Sequence, residues 1–192
     1  MTREEIERIW NSFVAAEQAE CSPEIASLLT VMKFYGVEKT ASIAQLNEWS
    51  GADKNKFINM EGIKEAAERV GMQTNLDLMD MEMLEKMTLP LILFMWNEYG
   101  KPIYMVCFGL HEGRYILWDA DWGGPMQYWP YEVEALWIKG ISMRFFPNDE
   151  LRRKADCQIK WWQLFSWTKA CRYWFIDFRE WLSLYVFPLF AK

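Results

Sequence analysis

The chain has 192 residues, 52% of them hydrophobic, which suits one substantial core with an appendage rather than two full domains. Its net charge of −6 is unevenly spread, because residues 151–192 carry eight Lys or Arg against three acids and residues 1–150 therefore carry −11. An acidic body disfavours nucleic acid as a partner, since phosphate binding requires a basic surface.

The cysteines and the single histidine limit the metal chemistry that is open to this chain. Cys21, Cys107, Cys157 and Cys171 have no CxxC spacing, and His111 alone cannot complete a zinc site. We therefore predict no metal site and no cofactor. The first residues are acidic and lack the apolar stretch of a secretory signal, which predicts a cytoplasmic protein with reduced thiols.

The first half of the chain reads as helical. Apolar residues at helical spacing predict an N-terminal amphipathic helix over residues 1–19. Ser22 as N-cap, Pro23 at the first helical position and Gly36 as a stop predict a second, largely buried helix. Two shorter helices are predicted at residues 42–49 and 61–70.

The second half of the chain reads as a sheet. Short runs rich in β-branched and aromatic residues are separated by Gly, Pro, Asn and Asp, as in strands joined by turns. Helices followed by an antiparallel sheet make an α+β fold. The predicted strands are residues 73–78, 91–96, 103–108, 115–118, 126–129 and 141–145.

Residues 149–192 form a separate basic, Trp-rich segment, which we predict to be a helical tail. Its longest uncharged run, residues 181–191, is too short for a bilayer span of about 20 residues. We expect the tail to lie on an anionic membrane surface or in an apolar groove. The tryptophans expected to contact the membrane or a partner are Trp161, Trp162, Trp167, Trp174 and Trp181.

Five segments, taken in order along the chain, resemble the C39 peptidase family, whose members trim leader peptides inside bacterial peptide exporters. The first is Glu20-Cys21-Ser22-Pro23, followed by an apolar helix that ends at Tyr35-Gly36. Each segment alone is a weak match, but together they make a specific one. The other four are residues 62–72, 89–93, 116–124 and 145–147.

The resemblance implies a papain-like fold over residues 20–148, with a helical half packed on an antiparallel sheet. It also implies a cysteine at the start of the central helix, a histidine on a facing strand and an aspartate that orients the histidine. Such a helix start and imidazole lower the thiol pKa, and a glutamine donates to the oxyanion. Carried onto this chain, Cys21 matches the nucleophile, Gln18 lies near the oxyanion position and Asp119 matches the orienting acid.

The histidine position falls on Ile103, or on Pro102 if the loop is one residue longer. A papain-type thiol without an imidazole is not activated. His111 follows in a predicted hairpin turn, where we expect an exposed histidine without a catalytic role. The resemblance therefore implies a vestigial site, in which Cys21 is more simply a small buried residue at a helix start.

Two questions about the site stay open in the sequence. The stretch from Cys21 to Gly36 is longer than the family's helix, so alignment on Gly36 would place Pro23 at the nucleophile position. The aromatic residues Trp96, Tyr104 and Trp118 either line a peptide groove or belong to the sheet core. For Asp119, a turn-forming aspartate is a simpler reading than a metal pair with Asp121.

These observations predict a non-catalytic C39-like domain that binds a peptide or an unfolded secretion substrate at the cytoplasmic face of an ABC-type exporter. It is similar to the toxin-exporter subtype that has lost peptidase function. Expected partners are the substrate, the transporter subunits and, through a tail resembling an elbow helix and first span, the inner membrane surface. Two alternatives remain open: an active cysteine endopeptidase that uses Cys21, and a membrane-surface scaffold that acts through the tail.

Overall fold

Capping signals in the sequence determine where the central helix begins and ends. In the computed structural model, which describes residues 3–52, 58–87 and 90–153, this helix spans Pro23–Phe34. Ser22 Oγ accepts a hydrogen bond from the Ile25 N–H at 3.4 Å, and Pro23 takes the first helical position, as predicted. The helices of the described residues are α1 (Arg3–Ser12), α2 (Ala16–Ala19), α3 (Pro23–Phe34), α4 (Ile43–Trp49), α5 (Met60–Arg69), α6 (Met81–Lys86) and α7 (Pro130–Leu136).

The prediction of a single N-terminal helix over residues 1–19 is wrong, because residues 13–15 are not helical and separate α1 from α2. The Val14 N–H donates to Thr30 Oγ1 at 3.1 Å. The Ala16 N–H donates to the Ala120 carbonyl at 2.9 Å. A continuous helix would have used both N–H groups internally, so contacts with α3 and the sheet decide the break.

The six predicted strands all form, and within the described residues they make one antiparallel sheet in the order β1-β6-β2-β3-β4-β5. The predicted α+β arrangement is thereby confirmed. Two strands have the predicted ends, and the longest extensions are in β3 and β6. The strands are β1 (Gln73–Leu78), β2 (Leu91–Trp96), β3 (Pro102–His111), β4 (Arg114–Asp119), β5 (Gly124–Tyr128) and β6 (Trp137–Phe146).

Helices α6 and α7 were not predicted, although each carries a local start signal. Asp80 caps α6, since its Oδ1 accepts a hydrogen bond from the Met83 N–H at 2.8 Å. Pro130 opens α7 at its first position. Both helices are short, and their hydrophobic patterns are too brief to distinguish a helix from a loop.

Helix α3 is the centre of the helical half and packs directly on strand β3. Ile25 and Leu28 are fully buried on the helix side, and Ile92 and Val106 on the sheet side. Burying side chains of this kind stabilises a fold by about 1.5–3 kcal/mol each. The packing fixes the start of α3 over the first residues of β3.

Gly62, at the start of α5, explains how two of the shorter helices approach each other. A Cβ atom at this position would collide with the carbonyl oxygen of Ser50, the residue that ends α4. Only glycine therefore fits here without a shift of the backbone. Gly62 begins the segment of residues 62–72 that resembles the C39 family, and the close packing of α4 and α5 explains why a glycine stands there.

The described part of the tail begins as a helix. Residues 149–153 are helical, and Asn148 Oδ1 accepts a hydrogen bond from the Leu151 N–H at 3.0 Å. The tail tryptophans Trp161, Trp162, Trp167, Trp174 and Trp181 lie outside the described residues. Among the residues that are described, no helix combines the length and apolarity needed to cross a membrane.

Candidate functional site

A cleft of about 200 Å³ opens between the start of α3 and the sheet. The helix contributes Pro23 and Glu24 to its walls, and strand β3 contributes Pro102, Ile103 and Tyr104. The rest of the lining is polar and comes from two loops. These residues are Asn97 and Lys101 in the β2–β3 hairpin, and Asp119 and Asp121 at the end of β4.

The β2–β3 hairpin is held in place by its first residue. Asn97 Oδ1 accepts hydrogen bonds from the Tyr99 N–H at 3.0 Å and from the Lys101 N–H at 2.9 Å. The Asn97 N–H in turn donates to the Lys101 carbonyl at 2.9 Å. These bonds form an Asx-type turn, which places Lys101 and the first residue of β3 at the cleft.

Cys21 lies beside the start of α3 but is not one of the residues that line the cleft. It precedes the N-cap residue Ser22, and its N–H donates to the Ala16 carbonyl at 3.2 Å. Burial, and then the negative charge of Glu24, raise the pKa of its thiol from 9.0 to about 11. Both effects favour the thiol over the thiolate at neutral pH.

Gln18, matched by the resemblance to the oxyanion position, is an exposed residue of α2 and does not line the cleft. Pro23, the residue at the nucleophile position in the second alignment, does line it. The structure thus brings together Pro23, Ile103 and Asp119, and leaves Gln18 and Cys21 outside.

Asp119 forms the turn after β4. Its Oδ1 accepts hydrogen bonds from the Asp121 N–H at 2.9 Å and from the Trp122 N–H at 3.3 Å. Burial raises the pKa of the Asp119 carboxyl, and these two N–H donors oppose that rise. Over the described ranges, no three or more His, Cys, Asp or Glu side chains are arranged to hold a metal ion.

The position expected for a catalytic histidine holds an apolar side chain. Ile103 is half-buried on β3, opposite Met95 of β2, and lines the cleft. His111 is the last residue of the same strand, at the β3–β4 hairpin, and its cross-strand neighbour on β4 is Arg114. His111 is not a lining residue of the cleft, and its Nε2 lies 3.8 Å from the exposed carboxylate of Glu112.

The three aromatic residues suggested for a peptide groove have different surroundings. Trp96 is 43% exposed at the end of β2, next to the hairpin. Tyr104 is buried on β3 but reaches the cleft wall, and burial followed by the charge of Glu24 raises the pKa of its hydroxyl. Trp96 and Tyr104 are therefore placed where a ligand in or near the cleft could meet them.

Trp118 does not line a groove, so that part of the sequence prediction is corrected. Its side chain is only 4% exposed. Its ring stacks on Phe13 with 4.2 Å between ring centroids, and its Nε1–H donates to the Val14 carbonyl at 3.2 Å. The segment between α1 and α2 therefore covers Trp118 and makes it part of the core.

Sequence reasoning missed three cleft residues, Asn97, Lys101 and Glu24, and of these Glu24 is the buried one. It is 8% exposed, lines the cleft, and raises the pKa of both Cys21 and Tyr104 by its charge. The available signal was a single acid in a helix whose other residues are mostly apolar. An acid in a first helical turn is favoured by the helix dipole, so it gave no reason to suspect a site.

The family model described as Peptidase C39 family matches residues 9–150 of this chain. Among curated proteins, none matches the chain significantly.

Several solved structures are similar to the chain. The peptidase domain of Streptococcus ComA, a bi-functional ABC transporter involved in quorum sensing, has 26% identity and a TM-score of 0.58, with 66% of this chain and 91% of that one covered.

Two further structures are similar in fold. A double glycine motif protease from an AMS/PCAT transporter, in complex with the leader peptide, has 20% identity and a TM-score of 0.56, with 66% of this chain and 85% of that one covered. The N-terminal peptidase C39 like domain of a toxin secretion ATP-binding protein from Vibrio parahaemolyticus has 18% identity and a TM-score of 0.50, with 66% of this chain and 98% of that one covered.

Proposed function

The chain belongs to the peptidase C39 family, and from that premise we propose that it is a non-catalytic member. It binds a peptide or an unfolded secretion substrate at the cytoplasmic face of an ABC-type exporter and does not cut it. One observation carries the proposal: the residues that line the cleft at the start of α3 include neither a thiol nor an imidazole.

The chemistry of a cysteine peptidase requires both groups in one place. An imidazole takes the proton from the thiol, and the helix start stabilises the resulting thiolate. Here Pro23 and Ile103 stand on the two walls of the cleft where those groups are needed. The second alignment, with Pro23 at the nucleophile position, is the one that this geometry supports.

Cys21 does not replace the missing nucleophile in this proposal. Its thiol has a pKa of about 11, so about one molecule in ten thousand carries a thiolate at pH 7. The nearby charge of Glu24 opposes ionisation, whereas a catalytic imidazolium would favour it. We therefore assign Cys21, Gln18 and Asp119 no catalytic role.

The same fold can bind a peptide without cutting it. Strand β5 is an edge strand of the sheet that the described residues form, and it follows the Asp119 turn, so an extended peptide can pair with the backbone groups on its outer edge. Trp96 and Tyr104 provide aromatic contacts near the cleft. A fold relative is in complex with a leader peptide, which supports a peptide ligand for this fold.

Titration of the full chain with a double-glycine leader peptide tests the proposal. We expect a saturable change in tryptophan fluorescence and an intact peptide by mass spectrometry, with the Streptococcus ComA peptidase domain as the positive control for cleavage. Trp96→Ala should weaken binding about tenfold. Trp10→Ala, which removes another exposed tryptophan from α1, should leave it unchanged.

Two outcomes would contradict the proposal. If tryptophan fluorescence shows no saturable change at high micromolar peptide concentration, the proposed binding function is refuted. Cleavage that is lost in Cys21→Ala would establish the alternative that family membership favours, an active cysteine endopeptidase. A role for the basic tail at the membrane surface is a separate proposal, which liposome co-sedimentation with and without residues 157–192 addresses.

A further inference from the structure

Strand β1 is an edge strand of the sheet that the described residues form, and its sequence does not protect that edge. Edge strands usually carry a lysine, a proline or a β-bulge that prevents pairing with another chain. The opposite edge strand, β5, contains Pro125. Strand β1 has neither lysine nor proline, and its register with β6 runs without a bulge. Its one charged residue, Asp77, is paired with Arg144 of β6 and so does not repel an incoming strand.

The alternation of hydrogen bonds along β1 shows which of its backbone groups face outward. The Met79 N–H, directly after the strand, donates to the carbonyl of Gly140 on β6 at 2.9 Å. In an antiparallel pair, every second residue directs its N–H and C=O groups to the neighbouring strand, and the residues between direct theirs away from it. Counting back from Met79, the backbone groups of Thr74, Leu76 and Leu78 therefore point away from β6.

The side chains of these three residues differ along the strand. Leu78 is 73% exposed and Leu76 is 45% exposed, although both are large and apolar. Thr74 is buried, and its hydroxyl donates to Glu68 Oε1 of α5 at 3.1 Å. Beside Thr74 opens a groove of about 480 Å³, which Lys64 and Glu68 of α5 help to line. The edge thus presents a protruding leucine at one end and a groove at the other, which makes it complementary to itself.

We propose that β1 pairs with β1 of a second copy of this chain, antiparallel and about a two-fold axis at Leu76. In this register Leu76 lies opposite Leu76 of the second copy, and Leu78 lies opposite Thr74, next to the groove. All three outward-facing residues then exchange backbone hydrogen bonds, about six in total. A two-fold contact uses the same surface on both copies, as a self-complementary edge requires.

Side-chain charge favours this register over its neighbour. With the axis at Leu76, each Asp77 lies opposite the amide of Asn75. With the axis at Asp77, the two Asp77 carboxylates would lie opposite each other, and like charges directly opposite are destabilising. One strand pair is a small contact, so the dimer is a weak one. Strand β5 and the cleft stay open, and the inference therefore does not depend on the proposed function.

Sedimentation equilibrium of the full chain at increasing concentration tests the pairing. We expect the mass to rise from monomer toward dimer, with a Kd of roughly 10–100 μM. Leu78→Lys should raise this Kd at least about tenfold, because it places a charge on the edge. Leu110→Lys makes the same change at another exposed leucine, on β3, and should leave the Kd unchanged. Circular dichroism of each variant checks that the fold is retained.

Disulfide crosslinking under mild oxidation tests the register. Directly opposite residues of a hydrogen-bonded antiparallel pair have Cα atoms about 5.5 Å apart, which a disulfide can span. Leu76→Cys should therefore give a chain linked to its own copy through position 76. Leu78→Cys should not link to its own copy, because in this register it lies opposite Thr74. Peptide-resolved mass spectrometry separates these links from those of the chain's own cysteines.

Three results would overturn the proposal. A monomer at every concentration would leave the β1 edge to a strand of some other protein. Self-association that Leu78→Lys does not weaken would place the contact on another surface of the chain. Crosslinks through position 78 that are as abundant as those through position 76 would exclude a two-fold axis at Leu76. Each result leaves peptide binding at the cleft as a separate question.

Discussion

Cys21 should react with iodoacetamide about a hundredfold more slowly than an ordinary cysteine at pH 8. Burial, and to a smaller extent the charge of Glu24, raise the pKa of its thiol from 9.0 to about 11. Below both values the thiolate fraction falls tenfold for each pKa unit, and only the thiolate reacts. Raising the pH from 8 to 10 should therefore increase the rate about a hundredfold, without a plateau.

Peptide-resolved mass spectrometry of the full chain between pH 6 and pH 10 measures this rate for each cysteine. The same chain unfolded in urea gives the rate of Cys21 without burial. Cys107 is an internal reference, since burial raises the pKa of its thiol to about 12. Glu24→Gln should accelerate Cys21 by less than about tenfold, because it removes the smaller cause and leaves the burial.

Rapid labelling of Cys21 that persists at pH 6 would refute this reasoning, since it would require a stabilised thiolate, which burial and the charge of Glu24 both oppose. Full recovery of the ordinary rate in Glu24→Gln would also refute it in part. That result would mean that the carboxylate, rather than burial, controls the thiol.

Three further predictions concern the site and the stability of the fold. Pro23→Cys combined with Ile103→His should give a new cysteine whose alkylation rate has its midpoint below pH 7. Pro23→Cys alone should have a midpoint near pH 8 to 9. Equal midpoints would show that residues 23 and 103 are not close enough to interact. Ser22→Ala should lower the free energy of unfolding in urea by about 1 kcal/mol, since it removes the cap of α3, and a change within error would mean that the cap contributes nothing. Asp77→Ala should lower it by about 3 kcal/mol, because the Asp77 carboxylate lies 2.6 Å from Nε of the buried Arg144; a loss of less than 1 kcal/mol in the same urea titration would mean that other contacts hold Arg144.

Much of the fold could be predicted from local sequence features. The ends of β1 and β2, at residues 73–78 and 91–96, match the prediction because turn residues bound each run. The start of α3 follows from Ser22 and Pro23, whose capping chemistry acts within one turn of the helix. The segments that resemble the C39 family are equally local, and family membership follows from them.

Contacts between distant parts of the chain could not be predicted in this way. The break after α1 depends on Thr30 and Ala120, which take up N–H groups that helical periodicity assigns to a helix. Trp118 was assigned equally well to a groove or to the core, and only its stacking on Phe13 decides for the core. Such contacts are set by packing, which overrides local preference.

The cleft shows most clearly which features depend on the sequence alone and which depend on tertiary contacts. The sequence by itself determined that no histidine stands at the expected strand position, since Ile103 and Pro102 occupy the two candidate positions. Only the tertiary structure decided that Pro23 and Glu24 line the same cleft as Ile103 and that Cys21 does not. Successive helical residues point about 100° apart, so the direction of each side chain at a helix start depends on how the helix is seated against the sheet.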